Sequence, residues 1–278
     1  MTDPARNETV RTFYGEMPFN YWSDVSQAAN SVRSNPLQAY CDLDDLLEGM
    51  QTPSVLEIGC GAGWASNSLA LHYGANVTAV DFTATALDRA REVSAHLGLE
   101  AQTRFIESDL FRFETEQTFD LVLSIGVLHH THDCRRAFAK AASFVKPGGY
   151  LFVGLYHLYG RRPFLGMFHD ILATEGEEAA FDRYAALHSQ SQDATHVKSW
   201  FRDQVLHPQE TQHSLEEVMG WLDDAGFALL STNLNGYDDV SDRANMIETE
   251  KTFEALSNQR NRIEGRYFPG FFTVLAQR

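Results

Sequence analysis

The chain has 278 residues, 44% of them hydrophobic, and 38 Asp and Glu against 22 Lys and Arg give a formal net charge of −16. That length suits one large domain with additions, able to bury a real core, while the acidity argues against binding along a nucleic-acid phosphate backbone. Three widely spaced cysteines (Cys41, Cys60, Cys134) without a C-x-x-C pair argue against a zinc ribbon and suit a reducing cytoplasm, and no apolar run approaches the roughly 20 residues of a membrane helix. The opening residues MTDPARNETVRTFYGEM lack an apolar core, so no secretory signal is expected and the setting is read as cytoplasmic.

In chain order, residues 1–50 read as mostly helical. Within them FYGEMPFNYW is aromatic and broken by Gly15 and Pro18, which predicts a turn or lid; PLQAYCDLDDLLEG predicts a helix stopped at Gly49. From residue 54 a strand–helix alternation begins. SVLEIG, NVTAVD, TRFIESD, FDLVLSIG and YLFVGLY read as strands. WASNSLALHYG and TATALDRAREVSAHLG read as helices stopped at Gly74 and Gly98, and CRRAFAKAASFVKPGG as a helix closed by Pro147-Gly148-Gly149. Such alternation predicts an α/β fold whose mostly parallel sheet carries helices on both faces. Residues 157–213 break the rhythm with helical patches and several histidines, predicting a cap over the carboxyl ends of the strands. Core elements resume at SLEEVMGWLDDAGF, where Ser214 and Glu217 form a capping box and Gly226 a stop. FALLSTNL predicts a sixth strand, IETEKTFEALSNQRN a helical stretch and GFFTVLAQR a last strand. The expected organisation is a helical lid (1–50), a core (51–156), a cap on the acceptor side (157–213) and core completion (214–278).

The stretch VLEIGCGAGWA places Gly59, Gly61 and Gly63 directly after a strand. A dinucleotide fingerprint needs G-x-G-x-x-G, and here the third glycine comes one residue early; a phosphate loop needs a following lysine, and none is present. Glu57, two residues before the loop, would repel a pyrophosphate and suits cationic or hydrogen-bond-donating groups. Asp81 at the end of the second strand can accept both hydroxyls of a ribose, and Asp109 after the third can receive an adenine amino group while Leu110 packs on the ring. A nucleoside without phosphate, carrying a positively charged tail, matches this edge, and S-adenosylmethionine fits that description.

VLEIGCGAG with Asp81, SDLF, FDLVLSIGVLHH and FVKPGGYLFV together resemble the class I S-adenosylmethionine-dependent methyltransferases, within them the ubiquinone-biosynthesis-like and small-molecule group. The resemblance covers about residues 50–155 well and 214–278 in outline. It implies a Rossmann-like seven-stranded sheet whose last strand runs antiparallel between the fifth and sixth. It also implies S-adenosyl-L-methionine as cofactor and S-adenosyl-L-homocysteine as product. By that resemblance Gly59, Gly61 and Gly63 let the methionine part approach the backbone, Glu57 orients the loop and the donor amine, and Asp81 holds the ribose. Phe82 and Leu110 flank the adenine, Asp109 binds its amino group, and Ile125 and Gly126 line the floor. For Phe82, Leu110 and Ile125, plain core packing is the competing account.

On the acceptor side GVLHHTHD supplies His129, His130 and His132, with His130 the first candidate for a general base and His129 and His157 behind it; a structural role for the LHH stretch competes with this. Tyr156, His157 and Tyr159 would face the cap, and Arg161 or Arg162 would hold a carboxylate or phosphate of the acceptor, against a solvated arginine pair as the competing account. Tyr14, Phe19, Tyr21 and Trp22 of the lid would exclude water and touch the sulfonium, against a staple that packs the N-terminus onto the core as the competing account. His207, Glu210 and His213 recur at three-residue steps, but Pro208 breaks any helix there, so no metal is expected and His207 is assigned to acceptor closure. The expected reaction is methyl transfer (EC 2.1.1.-) to the O, N or S nucleophile of a small molecule by in-line displacement. No nucleic-acid or membrane partner is expected, and a homodimer is compatible with the reading. A non-catalytic S-adenosylmethionine-binding regulator and a nicotinamide-dependent oxidoreductase are the alternatives.

Overall fold

The computed structural model describes residues 4–188 and 193–278. Residues 1–3 of the expected lid and 189–192 of the expected cap lie outside them. The chain opens with helices α1 (Pro4–Glu16), α2 (Val25–Arg33) and α3 (Cys41–Glu48). The core then runs β1 (Ser54–Ile58), α4 (Trp64–Tyr73), β2 (Asn76–Asp81), α5 (Ala84–Leu97), β3 (Thr103–Glu107), β4 (Phe119–Ile125), α6 (Cys134–Ser143) and β5 (Val145–Tyr156). Helices α7 (Leu158–Thr174), α8 (Glu177–Leu187) and α9 (Ala194–Val205) follow. Then come α10 (Leu215–Ala225), β6 (Ala228–Thr232), α11 (Arg243–Lys251), α12 (Phe253–Asn258) and β7 (Phe271–Gln277).

The seven strands form one sheet in the order β3-β2-β1-β4-β5-β7-β6. β1 to β5 pair in parallel, and β7 runs antiparallel between β5 and β6. The central strands are continuous apolar runs because both faces are covered. Alternate residues go to opposite sides: Leu56 and Val122 pack with Phe138, Val218 and Leu222 of α6 and α10. Val55, Leu121 and Leu123 pack with Leu43, Leu69 and Leu87 of α3, α4 and α5. Each such fully buried side chain contributes about 1.5–3 kcal/mol.

The segment after β5 builds its own apolar centre from Phe164, Phe168, Tyr184 and Phe201, joining α7, α8 and α9. Its two ends meet at the sheet edge, where Leu158 N donates to His213 O (2.8 Å) and His213 N to Tyr156 O (2.9 Å). The whole excursion therefore leaves and returns at the carboxyl end of β5. The expected capping box is present: Ser214 Oγ accepts from Glu217 N, and the Glu217 side chain accepts from Ser214 N.

Three local expectations are corrected. The KPGG stretch does not close α6, which already ends at Ser143; Lys146–Gly149 form an irregular start of β5, with the register slipping between Phe119↔Val145 and Leu121↔Tyr150. A proline and two glycines are tolerated in a strand at such a bulge. PLQAYCDLDDLLEG is not one helix: a 3₁₀ turn at Pro36–Ala39 ends at Tyr40, whose φ of −108° and ψ of 81° break the helical path before α3. The stretch IETEKTFEALSNQRN is divided between α11 and α12, followed by a π turn at Gln259–Ile263.

Candidate active site

A cleft opens at the carboxyl ends of β1, β2 and β4, beneath α1 and α9. Its floor is built by the glycine loop. Gly59 and Gly63 are glycines for packing reasons: a Cβ would lie 2.4 Å from Val127 Cγ2 at the first and 2.6 Å from Ala90 Cβ at the second, and both have positive φ. Gly61 differs. A Cβ there would meet no protein atom within 4 Å, and the residue lines the cleft. The backbone at Gly61 is thus the surface left bare for a ligand.

Asp81 Oδ2 accepts from Gly61 N (2.9 Å) and Oδ1 from Thr83 N (2.8 Å), so the carboxylate at the end of β2 braces the loop while lining the cleft. Burial raises its pKa against these bonds. Each carboxylate oxygen has lone pairs beyond these bonds. Asp109 lines the next strand end, with Oδ1 accepting from Phe111 N (2.8 Å). Phe82, Leu110 and Val80 supply apolar walls beside these acids, and Ile125 and Gly126 the far side of the floor. A ribose at Asp81, an adenine between Phe82 and Leu110 and a cationic tail over Gly61 fit these groups.

Two assigned residues sit behind this surface. Glu57 is 3% exposed, accepts a hydrogen bond from Ser66 Oγ and does not line the cleft; burial pushes its pKa up to about 8. It therefore fastens β1 to α4 from behind the loop. Gly63 likewise stands off the cleft, turning the chain into α4.

The opposite wall comes from distant segments. His130 lines the cleft. Its Nδ1 lies 2.9 Å from Gln209 O, and a carbonyl only accepts, so Nδ1 carries the proton and Nε2 keeps its lone pair. Burial pulls the His130 pKa down to about 4. Asp203 of α9, missed by sequence reasoning, also lines the cleft, with Oδ1 accepting from Tyr14 OH (2.5 Å) and Oδ2 from Tyr156 OH (3.2 Å) and Gln204 Nε2 (3.1 Å). Tyr14 and Phe19 complete the wall from the N-terminal segment. His207 supports it from behind, its ring centroid 3.8 Å from that of His130. Tyr156 stands off the cleft and reaches it only through Asp203.

The other acceptor-side assignments are corrected. Arg161 is fully buried and off the cleft: it pairs bidentately with Glu210 (Nε–Oε1 3.1 Å, Nη2–Oε2 2.7 Å), donates to Gln204 O and stacks on Tyr156. His157 is buried with Nε2 3.1 Å from Glu250 Oε2, and its Nδ1 accepts from Gly160 N at the start of α7, so it is a helix cap outside the cleft. His129 is fully buried, its Nδ1 accepting from Tyr156 N (3.2 Å). Tyr21 and Trp22 also miss the cleft: Arg89 donates to Tyr21 OH (2.7 Å), and Trp22 stacks on His196 at 3.9 Å. His207, Glu210 and His213 turn to His130, Arg161 and Thr211 respectively.

Residues 55–149 match the family model of a methyltransferase domain. The chain is 31% identical over 150 residues to a ubiquinone biosynthesis O-methyltransferase of Aromatoleum aromaticum, covering 54% of this chain and 61% of that one. The chain spans about half to three-fifths of the length of the curated relatives it matches. Its fold is shared with magnesium protoporphyrin IX methyltransferase from Synechocystis PCC 6803 with bound SAH (TM-score 0.53, 17% identity, 99% of this chain and 95% of that one). It is also shared with PKMT2 from Rickettsia typhi in complex with AdoHcy (TM-score 0.60, 15% identity, 83% and 49%). With the seven-stranded order, the glycine loop and the strand-end acids in place, residues 55–149 match a methyltransferase domain, set in a chain that shares its fold with these methyltransferases.

Proposed function

We propose that the protein transfers a methyl group from S-adenosylmethionine to a small-molecule nucleophile by in-line displacement. The observation that carries this reading is one cleft with two chemically distinct walls: Gly61, Asp81 and Asp109 on the sheet side, and Tyr14, His130 and Asp203 opposite. When bound, S-adenosylmethionine supplies a methyl carbon already activated by its sulfonium. The protein's share is to hold the acceptor in line and to keep water out; positioning alone is worth roughly 7–11 kcal/mol of barrier.

Asp81 anchors the ribose and Gly61 gives way to the tail. α1, the turn that follows it and α9 form a roof, stitched by Tyr14 OH to Asp203, Trp200 Nε1 to Asn20 Oδ1 (3.1 Å) and Tyr21 N to Ser199 Oγ (3.1 Å). We read residues 1–50 as the lid and 157–213 as the cap of this roof. His130 stays unprotonated across physiological pH, so Nε2 is available to an acceptor proton. The acidic chain and the enclosed cleft favour a small molecule over nucleic acid. The three thiols, free in the structure, suit a cytoplasmic setting, and among the described residues no helix is long and apolar enough to cross a membrane.

The test is incubation with methyl-labelled S-adenosylmethionine and a panel of phenols, thiols and amines. Label transfer to at least one acceptor is expected. Donor binding without transfer to any of them would favour the regulatory reading.

A further inference from the structure

His130 Nε2 and Asp203 Oδ1 face one another 3.9 Å apart on the acceptor wall. The residues are 5% and 4% exposed. Among the described residues Nε2 has no hydrogen-bond partner. With Nδ1 donating to Gln209 O, Nε2 is an acceptor; Asp203 Oδ1, bonded to Tyr14 OH, has a further lone pair. The two acceptors thus face each other in the cleft wall, with Nε2 itself closed to water, and a donor seated between them would lie about 2.9 Å from each. Leaving buried acceptors unmatched costs about 1–3 kcal/mol apiece, so the pair selects what lies between them.

On the reading of the protein as a methyltransferase, we propose that its acceptor is a primary amine, seated between His130 Nε2 and Asp203 Oδ1. The nitrogen of a neutral primary amine has two N–H bonds, one for each acceptor, and one lone pair left for attack. A hydroxyl has a single O–H: matching one of the pair sets its own lone pair against the other. A thiol donates more weakly still. Tyr14 and Phe19 line the same cleft and suit an amine on an apolar or aromatic body.

The chemistry balances. The acceptor arrives as an ammonium ion and loses one proton to solvent as it enters the buried site, where desolvation disfavours its charge. The amine lone pair forms the new N–C bond as the C–S bond breaks, its electron pair going to sulfur. The sulfonium charge is replaced by that of a secondary ammonium, which the Asp203 carboxylate neutralises. One proton is released per methyl transferred.

The test uses matched amine–alcohol pairs, benzylamine with benzyl alcohol and cyclohexylamine with cyclohexanol, titrated calorimetrically into protein saturated with S-adenosylhomocysteine. Failure of S-adenosylhomocysteine itself to bind refutes the donor reading and is seen before any amine is added. Given that binding, the proposal expects at least one amine to bind ten-fold or more tightly than its alcohol. It expects Asp203→Leu and His130→Phe, each of which removes one of the two acceptors, to abolish the preference, with His130→Phe retaining S-adenosylhomocysteine affinity. Alcohols binding as well as amines, no amine binding at millimolar concentration, or a preference that survives in either variant would overturn it. Should one variant fail to melt cooperatively, the other carries the same comparison.

Discussion

Tyr14 OH donates to Asp203 Oδ1 at 2.5 Å across 189 residues of sequence, joining α1 to α9 over the mouth of the cleft. Both residues line the cleft, so the bond between them also fixes the carboxylate that faces His130. Tyr14→Phe keeps the ring and removes this bond, leaving Asp203 Oδ1 short of a donor. The loss of about 1–2 kcal/mol in the closed state predicts S-adenosylhomocysteine dissociating several-fold faster and quicker proteolysis between residues 17 and 24. Stopped-flow release and limited digestion measure both. Unchanged rates would mean that the roof does not depend on the bond.

Gly61 and Gly63 separate binding from folding. Gly63→Ala places a Cβ 2.6 Å from that of Ala90 at a φ of +78°. Overpacking and backbone strain predict a loss of about 1–3 kcal/mol in stability, read as a lowered Tm. Gly61→Ala meets no protein atom, so its Tm falls less, by the left-handed cost of about 1–2 kcal/mol. Its affinity for S-adenosylhomocysteine falls ten-fold or more. Equal behaviour of the two variants would dissolve the distinction.

Arg161 is a stability residue. Arg161→Met leaves Glu210 buried beside the cleft wall with its partner gone, which predicts a loss of about 3–5 kcal/mol in denaturant unfolding. Were Arg161 an acceptor anchor, the variant would raise KM and leave unfolding unchanged.

Glu57 ties stability to pH. Its ordinary value is 4.5 and burial raises it to about 8, so between these pH values the folded state holds a proton that the unfolded state has released. The stabilisation is full below about 4.5 and is lost as pH rises towards 8, at up to about 1.36 kcal/mol per pH unit. Glu57→Gln keeps the shape and removes the ionisation. Its Tm relative to the parent should therefore rise between pH 5 and pH 8; parallel curves would place an ionised carboxylate at this position.

The core strands are legible in the sequence because burial on both faces writes them as unbroken apolar runs, and glycines at 74, 98 and 226 mark helix ends by their positive φ. The donor side is legible for a related reason: Asp81 and Asp109 follow directly on strands, so local pattern fixes which edge they occupy. The acceptor side is not. Asp203 lies in SWFRDQV, an ordinary amphipathic stretch, and its setting exists only once α1 folds across α9. Arg161 and His157 look available because their partners, Glu210 and Glu250, lie 49 and 93 residues away. For Glu57, charge repulsion suggests a ligand contact, whereas its partner is Ser66, one turn into α4. Pairing across long separations is set by packing, which periodicity does not encode.

The measurement that bears most directly on the central claim is calorimetric titration of the parent protein and Asp81→Ala with S-adenosylhomocysteine and with NAD. The account predicts one S-adenosylhomocysteine per chain, no NAD binding, and affinity weakened at least ten-fold in the variant, in keeping with about 1.5–3 kcal/mol for each charge-assisted hydrogen bond lost. NAD binding without S-adenosylhomocysteine binding, or an Asp81→Ala variant of unchanged affinity, would contradict it.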